Sequence, residues 1–224
     1  MNEPILITGC ARSGTSLTAG VIDACGAFGG DTTPGLPHNR KGQFENDAIR
    51  NTVIKSYLLR LGVDPLGQAP LPDMQNLLPF PELADCIRTI LIKQGYSTGP
   101  WYYKGAKMCL IWPVLEKAFP KAKWIIVRRD DDDIINSCMK THFMRAYNCS
   151  EGWQLWINEH KKRFVEMEQN LDVRYVWPMD FVAGDLREIK EIVDWLGLEW
   201  NDTAVKAFID PRLWNTKKEG HTNG

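Results

Sequence analysis

The opening stretch Ile5 to Ser16, ILITGCARSGTS, restricts the possible folds more than any other segment. Ile5 to Thr8 is β-branched at three of four positions and stops abruptly at Gly9, which reads as a buried strand. From Ser16 to Ala24 the spacing turns helical, with Leu17, Val21 and Ala24 on one face. Between strand and helix lie Gly9-Cys10-Ala11-Arg12-Ser13-Gly14-Thr15-Ser16. Two glycines five apart let the backbone curl so that successive N–H groups face one anion. The helix N-terminus adds partial positive charge. Thr15 and Ser16 bring hydroxyl donors, and Arg12 brings a full charge. A tight strand-to-helix turn without a ligand is the plainer alternative. The strand before the loop and the helix after it favour the anion site.

The rest of the chain alternates in the same way. Residues 26–43 are rich in Gly, Pro, Thr and Asn and read as a loop. Phe44 to Leu61 is predicted helical through Ile49, Val53, Ile54, Tyr57 and Leu58. The Pro- and Gly-rich residues 62–81 are long for an internal loop and suggest a lid or substrate wall. Helices are predicted over Glu82 to Gln94, Met108 to Phe119 (Pro113 in its first turns), Asp131 to Met144, Ser150 to Gln169 and Leu186 to Leu196, the last stopped by Gly197. Strands are predicted over Trp101 to Tyr103, Trp124 to Val127 and Val173 to Trp177. Strands alternating with helices imply an α/β fold, a mainly parallel sheet covered on both faces. Trp153, Trp156, Trp177 and Trp195 are expected to pack the core.

A chain of 224 residues can bury one full core, so residues 1–214 are expected to form a single domain, with 215–224 a polar, mobile tail. The formal net charge of −1 argues against a general binder of nucleic acid or anionic membrane. Any anionic ligand must then be held by a few well-placed cations. No apolar run is long enough to span a bilayer, and Met1 to Pro4 lead into no signal-type segment, so a cytoplasmic protein is expected. Six scattered cysteines without a C-x-x-C pair suit neither a zinc site nor a disulfide framework.

The triphosphate-binding version of the loop reads G-x-x-x-x-G-K-[ST]. Here Thr15 stands in place of that Lys, and the cation has moved to Arg12, which argues against an ATP or GTP site. A second segment, KWIIVRRDDDDIINS (123–137), ends a strand in Arg129 and places Ser137 eight residues later on the next helix. Arg128 competes for the role; the spacing favours Arg129. With both motifs in hand, the chain resembles the sulfotransferases that depend on 3′-phosphoadenosine 5′-phosphosulfate (PAPS), being closer to the bacterial, viral and carbohydrate-type members. NRKGQFEN (39–46), KGAKMCLIWPVLEKAFPKAKW (104–124) and DFVAGDLREIKEIVDWLGL (180–198) resemble further segments of that family. The resemblance therefore covers most of the chain. It departs at Asp131, where the family usually has Pro. The acidic run 130–133 reads as a helix cap rather than a metal site.

The resemblance implies a three-layer P-loop-type fold and roles for particular residues. Ala11, Arg12, Ser13, Gly14, Thr15 and Ser16 would hold the 5′-phosphosulfate. Arg129 and Ser137 would chelate the 3′-phosphate, with Arg212, Lys217 or Lys218 closing over it. Arg12 and one of Lys104 and Lys107 would stabilise the leaving phosphate, so no metal is required. The histidine that serves some members as base has no counterpart, which moves that role to Glu45, with His38 in reserve. PAPS would be the co-substrate, 3′-phosphoadenosine 5′-phosphate the product, and a small-molecule or carbohydrate hydroxyl the acceptor. Neither nucleic acid nor membrane is an expected partner. The competing readings are a P-loop nucleotide kinase and a non-catalytic module that binds 3′,5′-bisphosphorylated adenosine.

Overall fold

The computed structural model describes residues 2–33, 35 and 41–213. Four strands form one sheet: β1 (Ile5–Gly9), β2 (Tyr102–Lys104), β3 (Lys123–Val127) and β4 (Asp172–Val176). All pairings are parallel, in the order β2-β1-β3-β4. Helix α1 (Thr15–Ala24) follows β1. A π-helical stretch (Ile49–Ile54) runs directly into α2 (Lys55–Arg60). Then come α3 (Leu83–Lys93), a 3₁₀ segment (Ala106–Ile111) leading into α4 (Trp112–Ala118), α5 (Asp131–Lys140), α6 (Ser150–Asn170), α7 (Pro178–Val182), α8 (Arg187–Leu196) and α9 (Asp202–Phe208).

Alternation along β1 divides the core. Ile5 and Ile7 pack with Ala19, Val21 and Ile22 of α1 and with Ile189 and Val193 of α8. Leu6 packs on the other face with Ile54, Leu83, Met108, Trp124 and Trp153. A strand with apolar side chains on both faces needs helices on both faces, hence three layers. The chain leaves β1 toward β2 on one side and leaves β3 toward β4 on the other. The carboxyl ends of β1 and β3 therefore flank a topological switch point, where open α/β sheets place their ligands. The register Gly9↔Val127 sets the Arg12 loop beside Arg128 and Arg129.

Several expectations need correction. The helix predicted from Phe44 starts later: Phe44 has φ 51° and Asn46 makes an isolated bridge to Thr32, so Glu45 precedes the helix. Thr33 accounts for this, since its N–H and its hydroxyl both donate to Glu45 O and hold that segment extended. The helix from Asp131 ends at Lys140 rather than Met144. The first part of 108–119 is 3₁₀, and the α-helix begins with Pro113 in its first turn, where its missing N–H costs nothing. Trp177 is 37% exposed, at the end of β4, while Trp153 and Trp156 are buried. Three aspartates do occupy the first turn of α5, but Asp130 at the N-cap position makes no side-chain capping bond. Asp131 instead pairs with Lys161 at 2.6 Å, and Asp133 lies 3.4 Å from Arg129.

Residues 62–81 are pinned rather than lid-like. Trp156 Nε1 donates to Gly67 O, Arg163 Nη2 to Pro72 O and Tyr57 Oη to Leu78 O, while Gln68 Nε2 donates to Phe143 O. The six cysteines are free thiols. Among the described residues no helix is long and apolar enough to cross a membrane. His38, Lys217, Lys218 and the tail 215–224 lie outside the described residues.

Candidate active site

The loop after β1 is held in a conformation that most side chains avoid. Gly14 caps α1 at φ 101°, a left-handed value that glycine adopts without a Cβ clash. Arg12 adopts φ 73°, which costs a non-glycine residue about 1–2 kcal/mol. Two contacts offset that cost. Arg129 Nη1 donates to Arg12 O at 2.9 Å, and Arg12 Nε donates to Ser137 Oγ at 2.9 Å. Backbone strain over-determined by its surroundings is typical of functional sites. Ser137 was expected to meet Arg129. Its hydroxyl also accepts from Arg12, so the loop and the β3–α5 turn form one interlocked cluster. Arg128 faces elsewhere, over the rings of Tyr175 and Phe164, while Arg129 turns toward the loop.

No side chain caps α1. Ser13 is buried, and its Oγ has no hydrogen-bond partner. Gly9 passes so close to β3 that a Cβ there would sit 2.6 Å from Val127 O and 2.8 Å from Ser13 Oγ. A buried, unsatisfied hydroxyl beside an uncapped helix start fits an oxyanion ligand. Ser16 Oγ donates to Gln43 O, tying the loop to the segment that carries Glu45.

Ala11, Arg12, Thr15 and Ser16 line a cavity of about 330 Å³, shared with Glu45, Arg50, Lys55, Lys104 and Lys107. Lys104 ends β2, and Lys107 lies one 3₁₀ turn later. Gly105 between them is stapled to β1, its N–H donating to Ile7 O and its carbonyl accepting from Thr8 Oγ1. Glu45 meets both lysines, with Oε1 3.3 Å from Lys107 Nζ and Oε2 3.6 Å from Lys104 Nζ. Burial alone would raise the Glu45 pKa, but Lys107, Lys104 and Arg50 outweigh it and hold the carboxyl at about 2. Burial pushes the Lys104 ammonium down, against the pull of Glu45. Burial, and then the charge of Glu45, push the Tyr103 phenol up.

Five cationic side chains and one carboxylate thus line a single cavity. The structure brings Arg12, Thr15, Ser16, Glu45, Lys104 and Lys107 together and anchors them to Arg129 and Ser137. It does not bring Arg212 to them: that guanidinium is exposed and pairs with Asp210. Arg50 and Lys55 were missed. They are five apart, a spacing that matches neither helical nor strand periodicity.

Fold and site together define an α/β protein with a strand–loop–helix turn and a cation-lined cavity at its switch point. A model described as "Sulfotransferase family" matches residues 4–202, and the chain belongs to that family. The fold is similar to that of sulfotransferase STF1 from Mycobacterium tuberculosis H37Rv, at 17% identity and a TM-score of 0.57, covering 93% of this chain and 71% of that one. It is also similar to the sulfotransferase domain of the Synechococcus PCC 7002 olefin synthase, at 17% identity and 0.58, covering 94% and 85%. Sulfotransferase STF9 from Mycobacterium avium aligns at 15% identity and 0.55, covering 92% and 67%. No curated protein sequence matches the chain.

Proposed function

We propose that this sulfotransferase takes its sulfuryl group from PAPS and transfers it in line to the hydroxyl of a small-molecule or carbohydrate acceptor, leaving 3′-phosphoadenosine 5′-phosphate. The observation that carries this reading is the interlock of Arg12, Ser137 and Arg129. It supports two neighbouring anion subsites, one for the 5′-phosphosulfate and one for the 3′-phosphate. The unpartnered Ser13 hydroxyl and the uncapped start of α1 fit the first.

When bound, PAPS supplies an activated sulfuryl group. The residues supply position and charge. Arg12, Lys104 and Lys107 stabilise negative charge on the leaving phosphate side. Ser13, Thr15, Ser16 and the loop N–H groups orient it. Glu45, held between the lysines, accepts the acceptor's proton. Lys104 and Lys107 both reach Glu45, so they act as a pair rather than as alternatives.

3′-Phosphoadenosine 5′-phosphate at one hundred times its Kd is expected to stabilise the fold by about 2.7 kcal/mol, read as a thermal shift. ATP, without a 3′-phosphate, shifts it much less. Equal shifts from the two nucleotides would remove the assignment of Arg129 and Ser137. Transfer is also expected to survive EDTA, because five side-chain cations already stand where a metal would neutralise charge. Activity lost in EDTA and restored by magnesium would favour the nucleotide kinase reading.

A further inference from the structure

Arg12, Lys104 and Lys107 are used by the donor in the reading above. Arg50 and Lys55 line the same cavity and are not. In an α-helix, residues five apart point about 140° away from each other. Here Ile49–Ile54 is π-helical, and the Lys55 N–H donates to Arg50 O, an i→i+5 bond that stacks residue 55 over residue 50. The extra residue in the turn therefore turns two cations toward one cavity. π-turns cost regular hydrogen bonding and concentrate at functional sites.

The two cations differ in what already satisfies them. Arg50 is fixed: its Nη2 pairs with Asp47 Oδ1, and its Nη1 donates to Thr33 Oγ1 at 3.2 Å and Gln43 Oε1 at 3.3 Å. Lys55 is half-buried and, among the described residues, makes neither a hydrogen bond nor an ion pair. Holding a half-buried ammonium beside Arg50 and Lys107 is unfavourable: burial and both neighbours press its pKa down, against the weaker opposing pull of Glu45 and Asp47. An anion seated there would relieve that repulsion.

We propose that Arg50 and Lys55 form an acceptor subsite for an oxyacid group, so that the preferred acceptor carries a carboxylate, sulfate or phosphate near the hydroxyl that is sulfated. This rests on the sulfotransfer reading and narrows its acceptor class. The cavity of about 330 Å³ is small, at the low end for ligand sites, so one compact molecule would reach both Glu45 and Lys55. The subsite would discriminate by charge: a neutral analogue leaves Lys55 unpaired, whereas the acid satisfies it.

The test uses the whole chain, first titrated with 3′-phosphoadenosine 5′-phosphate, then, once saturated, with inorganic sulfate at constant ionic strength. Wild type, Lys55→Met and Lys55→Arg are compared by calorimetry. Lys55→Met is expected to keep the nucleotide Kd within about threefold and to weaken sulfate about tenfold or more, the loss of one charge-assisted contact. Lys55→Arg should recover most of the sulfate affinity. Sulfate bound equally by wild type and Lys55→Met overturns the subsite, as does an equal loss in Lys55→Arg. A missing nucleotide isotherm in wild type would instead sink the donor reading, so the two failures are distinguishable.

Discussion

Replacing Glu45 by Gln is expected to lower kcat for sulfuryl transfer by about 10²–10⁴-fold, the usual contribution of a general base. Gln keeps the shape and loses the basicity. It also removes the carboxylate from Lys104 and Lys107, and breaking a buried pair costs about 3–5 kcal/mol when the partner charge stays sealed in. Here the lysines border a cavity, so the loss should fall at or below that range, and assays belong well below the variant's Tm. Affinity for 3′-phosphoadenosine 5′-phosphate should hold or tighten, because the two ammonium groups no longer share themselves with a carboxylate. A variant that turns over near the wild-type rate, with its fold intact, would make Glu45 a structural counter-ion only.

The pH dependence follows from the same clamp. The Glu45 carboxyl lies at about 2 in the folded protein, below its ordinary value of 4.5. The stability it adds is fully present above pH 4.5 and is lost as the pH falls toward 2. Since kcat/KM reports the free enzyme, its acid limb from Glu45 should lie near pH 2, and the profile should be flat through mildly acidic pH. The limb in kcat should lie higher, because bound donor phosphate draws the lysines' charge away from Glu45. A kcat/KM limb between pH 4 and 6 that survives Glu45→Gln would point to another base.

Arg129→Met is the second large effect. It is expected to weaken 3′-phosphoadenosine 5′-phosphate by about 10²-fold, the loss of two charge-assisted hydrogen bonds at roughly 1.5 kcal/mol each. Adenosine 5′-phosphosulfate, which lacks the 3′-phosphate, should lose far less. Comparing the two nucleotides matters because Arg129 also props Arg12 O in its left-handed conformation. Damage to the loop alone would weaken both equally, and that result would reassign Arg129 from ligand contact to loop support.

The sequence by itself determined the parallel α/β frame, the loop between β1 and α1, and the strand end at Arg129 that runs into the helix carrying Ser137. Those features are local: β-branched runs mark buried strands, paired glycines mark a curled loop, and a strand end followed by a helix start fixes its own geometry. Tertiary structure decided the rest. Thr33 holds Glu45 outside the helix that its neighbours predict, and only the meeting of that segment with the end of β2 sets one carboxylate between Lys104 and Lys107. Arg12 reaches Ser137, because the register of β1 on β3 brings two loops within one side chain's reach. The π-turn left no mark in the hydrophobic pattern, since Ile49, Val53 and Ile54 bury as well as in an α-helix. It changes only which polar residues share a face, and that alignment is what puts Lys55 beside Arg50 in the cavity.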